Sequence, residues 1–243
     1  MRPLVAAWRL ARLVPHVLHG LWIVVRRFER LTPEQRQELI RWWSVKTLRI
    51  LGIELQVSGR AQPAGQLLVA NHVSWLDIAA VHAVLPMARF VSKSDVKHWP
   101  LIGTLVEGVG TLFIERSSKR DALRVVHQTA DALKNGDCVA VFPEGTTGAG
   151  PELLPFHANL LQAAIATEAR VLPVVLRWHE PGERFSTAAQ FIGDTTLVQS
   201  LWRMASARGL GIEVQVLPAV ASQGLDRRAL GEALRGVIAA KLR

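Results

Sequence analysis

A chain of 243 residues with 49% hydrophobic content is long enough for one sizeable α/β core and short for two. A net charge of +9 calls for an anionic partner, but mean hydropathy of +0.20 and eight tryptophans without one tyrosine favour an acidic membrane surface over nucleic acid. The lone cysteine, Cys138, excludes a disulfide framework or a cysteine-rich metal site, and nothing demands an oxidising compartment.

Taken in chain order, residues 1–28 are apolar but interrupted. The longest charge-free run, residues 13–25, is shorter than the ~20 residues of a membrane span, and no small-residue cleavage site of a secretory signal accompanies it. Wound as a helix, Arg2, Arg9, Arg12, His16, His19, Arg26 and Arg27 fall within an arc of roughly 120°. This is the pattern of an interfacial helix, with Trp8, Leu18, Leu21 and Val25 entering the acyl boundary. Pro15 is expected to break it in two. Thr32-Pro33-Glu34-Gln35 then signals a second helix: Thr32 caps, Pro33 opens the first turn and Gln35 completes a capping box. It is expected to end at Gly52, with Leu39, Trp43 and Ile50 on one side and Glu38, Arg41 and Arg49 on the other. Residues 1–52 therefore form a helical membrane-associating segment ahead of a catalytic domain at 53–243, although plain packing on that domain would explain the same pattern.

From Glu54 onward, strands alternate with helices. Strands are predicted at 54–57, 66–70, 88–92, 111–114, 138–142, 171–177 and 212–217. The clearest helix between them starts at Ser117 or Ser118, buries Ala122, Val126, Ala130 and Leu133, and stops at Asn135-Gly136. A last helix runs from the Asp226 cap to about Leu242, and residues 180–186 read as an exposed loop. Such alternation implies a mixed, mostly parallel sheet flanked by helices, whose ligands gather at the carboxyl ends of the strands.

The second strand leads into Asn71-His72-Val73-Ser74-Trp75-Leu76-Asp77. His72 lies at a strand end and Asp77 at the start of a helix over 78–85, so the turn can fold the carboxylate back onto the imidazole. A carboxylate on one ring nitrogen fixes the tautomer and frees the other nitrogen to take a proton. The spacing alone is a weak signal, because Asp77 or Ser74 capping the helix would produce it too. After the fifth strand comes Pro143-Glu144-Gly145-Thr146-Thr147, which by itself reads as a turn.

Together, Asn71-His72-x-Ser74-x-x-Asp77, Gly110-x-x-Phe113-Ile114-x-Arg116, Phe142-Pro143-Glu144-Gly145-Thr146 and Leu172-Pro173-Val174 resemble, in order, the four motif blocks of the glycerolipid acyltransferases. The resemblance covers roughly residues 65–180. It implies transfer of an acyl group from acyl-CoA or acyl carrier protein to a lysolipid hydroxyl, with 1-acylglycerol-3-phosphate as acceptor and phosphatidic acid as product. His72 would be the base and Asp77 its orienting partner, while Asn71, Ser74, Arg116, Glu144, Gly145 and Thr146 would serve substrate binding. Arg116 would hold a head-group phosphate; its bland alternative is an ion pair with Glu115 or Asp121.

No G-x-S-x-G elbow surrounds Ser74, so direct transfer without an acyl-enzyme is expected. No cofactor is expected, nor a metal, since His179-Glu180 has no partners at ligand spacing. Relatives that use glycerol phosphate acceptors often carry basic residues after the third block; here those places hold Thr147 and His157. Lyso-ornithine lipid is therefore an alternative acceptor, and a non-catalytic basic membrane-surface protein is the rival class. The expected partners are membrane lipids and the acyl donor, without nucleic acid, at the cytoplasmic face of the inner membrane.

Overall fold

The alternation expected from residue 54 closes into one seven-stranded sheet in the computed structural model, which describes residues 2–60, 65–114 and 119–243. The strands are β1 Glu54–Ser58, β2 Gln66–Ala70, β3 Ala88–Lys93, β4 Leu112–Ile114, β5 Cys138–Val141, β6 Arg170–His179 and β7 Gly211–Val216. Their spatial order is β1-β7-β6-β2-β5-β3-β4. Every pairing is parallel except that of β6 with β7. The mixed, mostly parallel sheet flanked by helices is thus present, with all seven strands near their expected bounds.

The helices are α1 Arg2–Arg27, α2 Pro33–Leu51, α3 Asp77–Val84, α4 Ile102–Gly108, α5 Lys119–Lys134, α6 Leu161–Thr167, α7 Leu197–Ser206 and α8 Arg227–Leu242. The expected start of α5 at Ser117 or Ser118 lies outside the described residues, as does the side chain of Ala122. Side chains on a strand alternate between faces. Leu68, Ala70, Phe90, Ala140, Val174 and Leu176 accordingly join the core under α1, α2, α3 and α7. Leu67, Val69, Val139, Val141 and Val175 join the core under α5, α6 and α8.

The N-terminal pair departs from expectation in an informative way. α1 is continuous through Pro15, and Leu13 and His16 on either side of it are buried. Its inner face packs on α2, α7 and α4. A Cβ at Gly20 would stand 2.3 Å from the Trp43 indole, so only glycine lets α1 and α2 approach this closely. Two members of the expected cationic arc turn inward. His16 stacks on Trp43, and its Nε2 lies 3.0 Å from the Trp43 carbonyl; burial pushes its pKa down, so it is held neutral. Arg9 donates to the carbonyls of Ala205 and Ala207, which end α7. Arg2, Arg12, His19, Arg26 and Arg27 stay exposed, beside an equally exposed row of Leu4, Trp8, Leu18, Trp22 and Val25. In α2 the capping box of Thr32 with Gln35 is formed, and Gly52 closes the helix in the left-handed conformation.

Candidate active site

The site grows from the carboxyl end of β2. After Ala70 the backbone leaves the sheet, and the Asn71 side-chain amide continues the ladder in its place. It donates to the Leu176 carbonyl at 2.9 Å and accepts from the Leu176 N–H at 2.8 Å. This pins the turn to β6 just where His72 begins it. Asn71 is buried by that work.

The turn closes on one carboxylate. Oδ2 of Asp77 accepts from the backbone N–H of Val73 at 2.7 Å and of Ser74 at 2.9 Å, and it lies 2.8 Å from His72 Nδ1. Because that oxygen already accepts two amide protons, it is an acceptor toward the ring as well, and Nδ1 carries the hydrogen. Oδ1 accepts from the Trp178 indole at 2.7 Å. Asp77 is 0% exposed and the His72 side chain 18%, so a satisfied buried carboxylate stands behind a ring that reaches the surface. Ser74 is fully buried, and its hydroxyl accepts from the Leu76 N–H at 3.4 Å.

Aromatic and backbone contacts fix the ring from other sides. The Phe142 ring lies flat on His72, with centroids 3.9 Å apart and planes 6° apart, and Phe90 backs Phe142. The Trp75 indole donates to Ser200 of α7 at 3.1 Å. The loops are sewn together: Gly148 N–H donates to the His72 carbonyl at 2.7 Å, Phe191 N–H to the Val73 carbonyl at 3.1 Å, and the Thr147 hydroxyl to the Phe191 carbonyl.

Glu144 joins the first and third motif blocks. One carboxylate oxygen accepts the His72 backbone N–H and the other the Leu154 N–H, each at 2.8 Å. Burial pushes its pKa up, and these two amides oppose the rise. Both oxygens serve the protein's own backbone, which distinguishes Glu144 from a side chain extended toward a substrate. Gly145 turns at φ 69°, a left-handed conformation that favours glycine, and Thr146 beside it is exposed. Arg116 lies outside the described residues. His157 is exposed, and its N–H donates to the Pro143 carbonyl.

Two residues escaped the sequence reading. Lys93 ends β3 beside β5, and its backbone pairs in register with Ile114, two residues before Arg116. The signal was its place one residue past an expected strand. Trp178 had no local signal, being 101 positions from Asp77. Among the described residues, no group of three or more His, Cys, Asp or Glu side chains is placed to hold a metal ion.

The family model described as Acyltransferase matches residues 54–177. The lyso-ornithine lipid O-acyltransferase of Pseudomonas aeruginosa is 40% identical over 231 residues, covering 91% of this chain and 87% of that protein. The 1-acyl-sn-glycerol-3-phosphate acyltransferase of Neisseria meningitidis is 40% identical over 215 residues, covering 85% and 83%. The crystal structure of the 1-acyl-sn-glycerophosphate acyltransferase of Thermotoga maritima shares the fold, with a TM-score of 0.76 at 19% identity over 100% of this chain and 96% of that one. With a matched model over more than half its length and relatives of this identity over most of it, the chain belongs to the acyltransferase family.

Proposed function

We propose that this acyltransferase moves a fatty acyl group from a thioester, on coenzyme A or acyl carrier protein, to the free hydroxyl of 1-acylglycerol-3-phosphate, forming phosphatidic acid. The observation that carries the reading is the 2.8 Å contact between His72 Nδ1 and a fully buried Asp77, which leaves Nε2 for the substrate. The acceptor hydroxyl gives its proton to Nε2 as its oxygen bonds to the thioester carbonyl carbon. When the tetrahedral intermediate collapses, the C–S bond breaks and the departing thiolate takes the proton back from the imidazolium. Asp77 orients the ring and stabilises its charged form, as the carboxylate does in hydrolase triads. The attacking oxygen belongs to the lipid, and the buried Ser74 hydroxyl is engaged locally, so no acyl-enzyme forms.

For the head group, Arg116 is the expected phosphate ligand. Lys93, at the adjoining strand end, is a second cation suited to it. One observation favours lyso-ornithine lipid as a second acceptor: the Thr147 hydroxyl is engaged with the Phe191 carbonyl, so the position after the third block adds no cation for phosphate. Identity to the relatives does not separate the two acceptors, being 40% both to the Pseudomonas lyso-ornithine lipid enzyme and to the Neisseria 1-acyl-sn-glycerol-3-phosphate enzyme.

Acceptor and product are lipids, and the molecule offers a surface for them. No described helix is long and apolar enough to cross a membrane. The outer face of α1 instead exposes Leu4 (75%), Trp8, Leu18, Trp22 and Val25, and the adjoining α7 exposes Val198 (75%) and Trp202. Arginines at Arg2, Arg12, Arg26 and Arg27 flank this row, which suits an anionic bilayer surface. Because both donors are cytoplasmic thioesters, that surface belongs to the cytoplasmic leaflet. The test is purified protein incubated with labelled acyl-CoA or acyl carrier protein and a panel of lysolipids. Labelled phosphatidic acid is the expected product, or labelled ornithine lipid on the second reading; no product from any donor and acceptor would overturn both.

A further inference from the structure

We infer that Trp178 is a positioning residue for the catalytic pair, acting through Asp77; this rests on the proposed role of His72 and Asp77. Four donors fill the Asp77 carboxylate. Oδ2 receives three donors from one side, the Val73 and Ser74 amides and His72 Nδ1. Those bonds alone leave the carboxylate free to tilt about Oδ2. The fourth donor, Trp178 Nε1, meets Oδ1 at 2.7 Å and fixes the second oxygen, hence the plane of the group and the direction in which Oδ2 faces the ring.

The indole is well placed for this. Trp178 stands on the same face of β6 as Val174 and Leu176, within the core beneath α2, α3 and α7, and is 2% exposed. Its height along the strand is set two residues earlier, where the Asn71 amide grips both backbone groups of Leu176. One strand thus anchors the start of the catalytic turn through Leu176 and its terminal carboxylate through Trp178. Water has no access to a 0% exposed Asp77, so no solvent donor can replace the indole when it is lost. The bond is to a charged acceptor, the stronger kind, and it matters most when His72 becomes an imidazolium in the transition state.

The experiment replaces Trp178 with 3-benzothienyl-alanine by amber suppression, which exchanges the indole N–H for sulfur at nearly constant shape. Trp178→Phe and Asp77→Ala are made alongside, and kcat, acceptor KM and Tm are measured for each. The expected result is a kcat about tenfold lower for both Trp178 replacements, with acceptor KM within about twofold and the isostere's Tm close to that of the wild type. A benzothienyl variant with wild-type kcat, while Trp178→Phe is impaired, would show that the indole only fills space and would overturn the inference. A loss expressed in KM alone would overturn it too. If Asp77→Ala kept wild-type turnover, the pair itself would fall as the catalytic centre, a failure distinct from loss of the Trp178 role alone.

Discussion

Asp77 shows why a short motif reports which side chains matter without reporting what they touch. The H-x-x-x-x-D spacing allowed a pair, and the pair exists at 2.8 Å. Asn71 and Ser74, which the resemblance assigns to substrate binding, are buried and bonded within the turn. Both kinds of role constrain a residue, so a sequence pattern cannot separate them. Burial also decides the behaviour of His82, which lies in the core with Nε2 2.9 Å from the Ala88 carbonyl. Desolvation pushes its pKa down to about 4, against that bond. Between pH 6.5 and about 4 the unfolded chain therefore takes up a proton that the folded chain refuses. Stability is full above pH 6.5 and falls on acidification by up to about 1.4 kcal/mol per pH unit from this group. His82→Gln, neutral throughout, should flatten urea-unfolding free energy against pH in that window; a slope equal to that of the wild type would contradict the assignment.

At the scale of elements, α1 serves two surfaces. Its apolar positions were readable from the sequence, but not which of them face α2 and α7, because the apolar arc left beside the basic one is wider than the stripe a single packing contact buries. The inner contacts, Gly20 against Trp43 and Arg9 at the end of α7, mean that deleting residues 1–28 would uncover core as well as remove a membrane contact. The discriminating change lies on the outer face. Trp8→Ala with Trp22→Ala should weaken co-sedimentation with anionic vesicles by roughly tenfold while leaving Tm within about two degrees. Unchanged sedimentation at low and high salt would show that this face does not meet lipid. Some elements left less trace in the sequence. α4 and α6 have seven residues each, too few for a helical period to emerge. α7 carried a capping box, Thr196 with Gln199, of the same kind as the one recognised at Thr32; that signal was present and unread.

For the whole molecule, the alternation of strands and helices revealed the layers, and the strand-end rule put His72 and Glu144 on one rim. The lateral order β1-β7-β6-β2-β5-β3-β4 was not readable, since apolar runs carry no label of their neighbours. That order sets β6 beside β2, which brings Trp178 to Asp77, and β3 beside β5. On this rim, we propose, His72 is the base of a direct acyl transfer. The most direct test is the turnover of purified His72→Ala against wild type, on one acyl thioester and one lysolipid accepted by the wild type, with unfolding transitions compared to show that the variant folds. The expected result is a loss of about 10²- to 10⁴-fold in kcat, the usual contribution of a general base, without loss of fold. A folded His72→Ala protein that kept more than about a tenth of wild-type turnover would contradict it.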